Sequence, residues 1–215
     1  MRKSLISVAL GLALLSISAA HAQGAQAYVG IGAGWANISV DCGGLDNCDK
    51  SNTGAKLYGG YRFASQWAVE AVYFDWGKVT AQTTETIVPS NGRVVPLATA
   101  PITVTADGKL RATGLGIGVA YFVPFSSNWN GVARLGAIQN EGKISGSGSG
   151  GGITVFETAS KKATSAYVGV GVGYQVTPSL ALTAEGDFSR VKYGAEGEYE
   201  TDNVRLISLG LRFSF

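Results

Sequence analysis

The C-terminal segment of the chain alternates strictly between two kinds of side chain. One face carries Leu206, Ser208, Gly210, Arg212 and Ser214. The other face carries the large apolar residues Ile207, Leu209, Leu211, Phe213 and Phe215. A period of two with one apolar face predicts a β-strand that has one side in a nonpolar medium.

The N-terminal segment has the organisation of a secretory signal peptide. A basic start is followed by a mostly apolar stretch from Leu5 to Ile17 and by a small-residue cleavage site at 20–22. A membrane-anchoring helix is the alternative, but that needs roughly 18 or more apolar residues and this run is shorter. We therefore expect residues 1–22 to be removed and residues 23–215 to form one domain.

Cleavage changes the chemistry that the mature chain offers. Of seventeen basic residues, Arg2 and Lys3 are lost, which leaves fifteen against fifteen acidic residues. This balance argues against a nucleic-acid partner. The one histidine, His21, is lost as well, so a Ser-His or Asp-His catalytic pair cannot be built. We expect no enzymatic activity, no cofactor and no metal.

The two cysteines, Cys42 and Cys48, are close together in a segment rich in Gly and Asp. In an exported protein such a pair predicts a disulfide that pins a loop. Zinc is a poor alternative because two sulfurs without a histidine make an incomplete site. Calcium is also poor, since the nearby aspartates do not have the EF-hand spacing.

The rest of the chain divides into eight alternating segments of about the length that a tilted membrane strand needs. They are 27–37, 54–63, 67–77, 110–123, 129–140, 164–176, 180–190 and 203–215.

The connections between these segments alternate in length. Residues 64–66, 124–128 and 177–179 form short connections. The long ones are 38–53, 78–109, 141–163 and 191–202. Short turns on one side and long loops on the other are typical of outer-membrane barrels. The pattern predicts an all-β fold, an eight-stranded antiparallel up-and-down transmembrane β-barrel in the bacterial outer membrane, with a flexible loop tip at the Gly- and Ser-rich residues 145–152.

The parity of the strands predicts which side chains face lipid. The apolar face includes Val29, Leu115 and Val170, and no Lys or Arg falls centrally on it, where either would cost about 2–4 kcal/mol. A soluble lipocalin-like barrel would have the reverse polarity. Aromatic residues cluster at the strand ends, as expected at the two bilayer interfaces. The opposite face is small or polar, and its glycines make room in a narrow interior.

The same parity places seven charged residues inside the predicted barrel. They are Lys56, Arg62, Glu70, Arg134, Glu185, Asp187 and Arg212. Buried charges must be paired, so we predict a lumen ion-pair network in which Glu70 and Glu185 face Arg134, Arg212 and Lys56. Two carboxylates in a cavity are also the catalytic groups of a glycosidase. Nearby arginines, however, would keep both carboxylates ionised and would not raise the pKa of one of them, as an acid catalyst requires. A gate or narrow conduit is the alternative that stays open.

Four segments carry a resemblance to a known family. They are 54–63 (GAKLYGGYRF), 67–77 (WAVEAVYFDWG), 132–136 (VARLG) and 209–215 (LGLRFSF). They resemble strands of OmpA-like outer-membrane β-barrels, and the resemblance spans nearly all of the mature chain. It implies that Glu70, Arg134, Glu185 and Arg212, with Lys56 beside them, match the family's interior salt-bridge cluster. Phe215 resembles the terminal aromatic residue that the barrel assembly machinery reads.

The resemblance also frames the expected function. Because the chain ends at Phe215, we expect the transmembrane domain without the peptidoglycan-binding domain of full-length OmpA. The expected partners are outer-membrane lipid, the assembly machinery during biogenesis and an extracellular ligand bound through the loops. A structural or surface-interaction role is the first hypothesis. A narrow channel or small-ligand conduit is the second.

Overall fold

The computed structural model of the chain describes residues 26–40, 43, 46–87, 102–150, 153–195 and 198–215. Within these ranges no helix is long and apolar enough to cross a membrane. The predicted signal peptide, residues 1–22, lies outside the described residues and stays a prediction.

Nine β-strands are described. They are β1 (Gln26–Ile38), β2 (Asn47–Asp49), β3 (Ser51–Arg62), β4 (Trp67–Ile87), β5 (Ile102–Pro124), β6 (Trp129–Gly150), β7 (Ile153–Thr177), β8 (Leu180–Ala195) and β9 (Glu198–Ser214). The other eight contain the predicted segments, except that Phe63 and Phe215 each lie one residue beyond the end of β3 and β9. The additional short strand, β2, lies within the predicted long connection 38–53 and pairs with β4.

The eight long strands close into a ring. Each pairs antiparallel with its neighbours in the chain, and β1 pairs with β9 to close the sheet. At the end of that seam, the Phe215 backbone N–H donates to the Ala27 carbonyl at 2.9 Å, and the Ala27 N–H donates to the Phe215 carbonyl at 3.2 Å. The predicted eight-stranded antiparallel barrel is confirmed.

The structure contradicts the predicted extent of two of the long loops. The β4–β5 ladder continues to the pair Ile87 and Ile102, and the β6–β7 ladder continues to Gly150 and Ile153. Most of the described parts of 78–109 and 141–163 are therefore paired strand, including residues 145–150 of the predicted flexible tip. Beyond the membrane both faces of a hairpin meet water, so these segments lack the one-sided apolar alternation that marks a membrane strand.

A β-bulge separates the two parts of β4. The β4–β5 register shifts between Asp75 and Lys78. Gly77 adopts a φ of 82° there, and its N–H donates to the Asp75 carboxylate at 3.1 Å. The left-handed conformation favours glycine at this position. The shift changes the buried parity from Trp76 before the bulge to Val79 after it.

The pairing between β7 and β8 covers only part of the length of these strands. The β7–β8 ladder ends at the pair Val168 and Phe188, and beyond it β7 stays paired with β6 and β8 with β9. Side chains bridge the two strands there. The Ser189 hydroxyl donates to the Ala166 carbonyl at 3.0 Å, and the Ser165 hydroxyl donates to the Arg190 carbonyl at 2.9 Å.

The polarity of the two faces is the predicted one. Leu115, Val170 and Leu211 point outward with 66%, 60% and 42% of their surface exposed. Glu70 and Arg134 point inward, and each is about 95% buried, with exposures of 4% and 5%. At the short-turn end, the rings of Trp67 and Tyr121 (4.7 Å apart) and of Trp129 and Tyr174 (5.0 Å apart) form outward-facing aromatic pairs.

Large aromatic side chains fill much of the interior, and glycines on the adjoining strand admit them. Tyr28 of β1 lies opposite Gly60 of β3, and Tyr58 of β3 lies opposite Gly30 of β1. A Cβ atom at either glycine would overlap the facing tyrosine ring. The inward glycines therefore hold space for specific rings on the next strand rather than leaving the barrel hollow.

Adjacent glycines of β3 provide a test of this packing. Gly60→Ala is expected to lower the free energy of unfolding by about 1–3 kcal/mol, because overpacking forces Tyr28 away. Gly59→Ala is the matched control, since a Cβ at this outward position meets no atom closer than 3.7 Å. Urea unfolding in lipid vesicles, followed by tryptophan fluorescence, measures both. Equal effects of the two substitutions would contradict the account.

Candidate functional site in the barrel interior

Five charged side chains meet in the middle of the barrel. We call Lys56, Glu70, Arg134, Glu185 and Asp187 the central ion-pair network. Arg134 binds Glu70 through Nε, at 2.7 Å from Oε2, and Glu185 through Nη1, at 3.0 Å from Oε1. The Lys56 Nζ atom binds the other oxygen of Glu185 and, at 2.5 Å, the Asp187 Oδ2 atom. Glu185 therefore joins two cations from different strands.

The register explains why these long side chains fit. On a neighbouring strand, Lys56 lies opposite Gly32, Glu70 opposite Gly60, and Glu185 opposite Gly171. Arg134 and Asp187 both lie opposite Gly169. Each charged residue thus has a partner without a side chain, and this leaves the interior volume to the ion pairs.

Aromatic residues surround the network. The Tyr28 hydroxyl donates to Glu70 Oε1 at 2.6 Å. The Tyr58 ring centroid lies 4.7 Å from the Arg134 guanidinium and 5.4 Å from the Lys56 ammonium. Such contacts favour a cation over an aromatic face. Sequence reasoning missed Tyr28 and Tyr58, although the inward parity of their strands could have found them.

A second polar cluster lies nearer the long hairpins. Asn140 is fully buried. Its side-chain oxygen accepts from the Trp76 indole N–H at 3.0 Å, and its amide donates to the Ser189 hydroxyl at 3.0 Å and to the Arg190 carbonyl at 2.7 Å. The Trp76 ring stacks on Phe74, with centroids 4.2 Å apart. These residues close the interior beyond the ion pairs.

Arg212 does not join the central network. It is 97% buried, with 3% exposure, but its Nη2 atom donates to the Asn130 side-chain oxygen at 3.0 Å. None of the ion pairs among the described residues includes it. The prediction that Arg212 faces Glu70 and Glu185 is therefore wrong. Arg212 lies four residues further along β9 than Ser208, the partner of Glu185, a separation of about 13 Å along the strand.

The structure describes one of the two cysteines of the predicted disulfide. Cys48 lies in β2, whereas Cys42 lies outside the described residues, so the bond stays a prediction. The segment around Cys48 is nevertheless tied to the barrel. β2 pairs with β4, and the Thr84 N–H donates to the Asp46 carboxylate at 2.8 Å.

The long hairpins frame a cleft of about 700 Å³, which we call the distal cleft. It is bounded by β2, β4, β5 and β6 and by Phe156 of β7. Its polar residues include Asp49 and Lys109, and Gln82 donates to Asp107 at 2.5 Å. Phe156 lines the cleft and is 78% exposed. The cleft therefore combines polar walls with one exposed aromatic side chain.

The fold and the interior define the class of protein, and the comparisons agree. Residues 7–215 match the outer membrane protein beta-barrel domain family, and the chain belongs to that family. It is a bacterial outer-membrane protein in the lipid bilayer. No match to the chain is found among curated protein sequences.

Solved structures show the same fold. Neisserial surface protein A has 20% identity and a TM-score of 0.52, with 90% of this chain and 100% of that chain covered. The attachment invasion locus protein Ail of Yersinia pestis, in complex with the heparin analogue sucrose octasulfate, has 18% identity and a TM-score of 0.51, with 89% and 99% covered.

Replacing Glu185 tests the contribution of the central network to stability. Glu185→Gln is expected to destabilise the barrel by about 3–5 kcal/mol, because it removes the shared charge between two buried cations. The matched control is Glu141→Gln, which breaks an exposed ion pair to Lys162 (3.5 Å) and should change stability by about 1 kcal/mol or less. Urea unfolding midpoints in vesicles measure both effects, and an unchanged midpoint for Glu185→Gln would count against the network.

Proposed function

We propose that this chain is a non-enzymatic outer-membrane barrel that acts by interaction at the cell surface through its long hairpins. The observation that carries the proposal is strand length. A strand crosses a bilayer with about 9–11 residues, whereas β4, β5, β6 and β7 contain 21, 23, 22 and 25 residues. By the usual orientation of such barrels, the short turns are periplasmic and the extra length projects outside the cell.

The distal cleft is the part of this projection that fits a ligand. Its walls are held by paired strands and by the hydrogen bond from Gln82 to Asp107. Phe156 lines the cleft and exposes 78% of its surface, and a large aromatic side chain left in water beside a cleft is informative. A polar cleft with an aromatic rim is suited to a glycan or protein surface.

Two further observations support the proposed function. A structure of the same fold, Ail, is an attachment invasion locus protein solved with a heparin analogue, so a surface-interaction role occurs on this architecture. In this chain the one histidine is His21, which leaves residues 23–215 without an imidazole for catalysis.

The assembly machinery is a proposed partner during biogenesis. Phe215 directly follows the closing strand β9, and its backbone pairs with Ala27 at the short-turn end of the seam. A factor that recognises this strand would therefore act before β1 and β9 pair.

Substitution of Phe156 tests the surface role. Bacterial cells that display the full chain are expected to be retained on an array of glycans and extracellular-matrix proteins. Phe156→Ser is expected to lower that retention by about tenfold, the effect of losing a well-packed aromatic anchor. Thr158→Ala, at an exposed position of the same strand, is the control and should leave retention unchanged. Retention no greater than that of cells without the chain would refute the proposal.

The conduit alternative has less support. Fully or almost fully buried side chains occupy successive levels of the lumen, namely Tyr28, Tyr58, Phe74, Trp76, Tyr167 and the central network. Eight strands leave an interior that side chains can fill. The purified protein is expected to show no regular conductance steps in planar bilayers. Reproducible single-channel steps would favour a conduit over a closed barrel.

A further inference from the structure

The periplasmic mouth of the barrel holds a cavity whose charge is one-sided. Its volume is about 310 Å³, and residues from the short turns, among them Gln66, Pro124 and Pro178, line it together with Arg62 and Arg212. Among the described residues that line it there is no aspartate or glutamate. The cavity therefore presents two cations and several neutral polar groups toward the periplasm.

Arg212 has unused hydrogen-bonding capacity in this cavity. Its Nη2 atom donates to Asn130, but within the described part of the chain its buried Nε and Nη1 atoms donate to no protein acceptor. A guanidinium carries five N–H donors and cannot lose its charge. Leaving such donors buried without acceptors is costly, so an acceptor from outside the protein would be favoured.

Arg62 adds a second positive charge beside the first. The Arg62 guanidinium lies 4.5 Å from the Phe122 ring centroid, and the Arg212 guanidinium lies 4.9 Å from the same centroid. The two guanidinium groups therefore flank the same ring, and an oxyanion that binds Arg212 would also be attracted by the charge of Arg62. None of the ion pairs among the described residues supplies an acceptor to Arg212.

We propose that Arg62 and Arg212 form a binding site for a compact phosphate-type oxyanion at the periplasmic mouth of the barrel. Arginine is well suited to the oxygens of phosphate. The cavity is at the small end of the range of about 300–1,000 Å³ found for ligand sites, which limits it to a small group. Gln66 also lines the cavity and carries an amide N–H₂ donor group, and its side-chain oxygen accepts from the Tyr121 hydroxyl (2.9 Å).

The phosphate group has two possible sources with the same chemistry. One is a soluble phosphate of the periplasm, and the other is the phosphate of an inner-leaflet lipid headgroup. The full chain in phosphate-free maltoside micelles separates them. Inorganic phosphate is titrated at constant ionic strength in one arm, and phosphatidic acid is added to the micelles in the other.

The urea unfolding midpoint is the measured quantity in both arms. A saturable rise with inorganic phosphate indicates the soluble source, and a rise with phosphatidic acid alone indicates the headgroup. Arg212→Gln is expected to weaken the apparent affinity by about tenfold or more. Arg205→Gln is the matched control, because Arg205 is an exposed, outward residue of the same strand and should keep the response.

If Arg212→Gln does not fold, Arg62→Gln makes the same test from the other side of the cavity, since Arg62 is only partly buried. The absence of a saturable response to either phosphate source would overturn the proposal. An equal response in wild type and in the foldable arginine variant would overturn it as well, and would mean that water satisfies the Arg212 N–H groups.

Discussion

A bilayer core offers no hydrogen-bond partners, so every backbone N–H and C=O within it must be satisfied by the chain itself. In this protein the requirement is met by closing eight strands into a ring, down to the last residue, where Phe215 pairs with Ala27. An eight-stranded ring is narrow, and its interior must be filled by side chains. Many of the large apolar residues face lipid, and polar and aromatic residues therefore fill much of the interior together with a few buried aliphatic side chains such as Val72, Ile138 and Leu206.

The interior is organised by height along the barrel axis. The Trp76 and Asn140 cluster lies nearest the long hairpins, the central ion-pair network lies next to it, and Arg62 and Arg212 lie at the mouth beside the short turns. Opposite charges pair with one another in the middle layer. At the mouth the guanidinium groups of Arg62 and Arg212 flank the Phe122 ring. Glu185 links two cations across the middle layer and thereby ties β3, β6 and β8 together.

How far the sequence predicts this protein depends on the periodicity of each segment. Within the bilayer the alternation of residues such as Leu115 and Ile117 with glycines located the membrane strands to within a few residues. The sequence predicts loops for the hairpin extensions of β4 to β7, because both of their faces meet water and no apolar period marks them. The bulge at Gly77 was also missed, since a one-residue shift in register has no signature in the alternation itself.

The sequence by itself determined the class of fold, the outer-membrane location and the face on which each membrane residue lies, because side chains on a strand alternate with a fixed period of two. It also predicted that Lys56, Glu70, Arg134 and Glu185 share the interior, and the structure brings these four together. Only the tertiary structure determined the position of each of these side chains along the barrel axis. The stagger of the closed ring brings Asp187 to Lys56 and carries Arg212 away to Asn130. Parity specifies inside or outside, whereas the contacts between side chains depend on how neighbouring strands are offset.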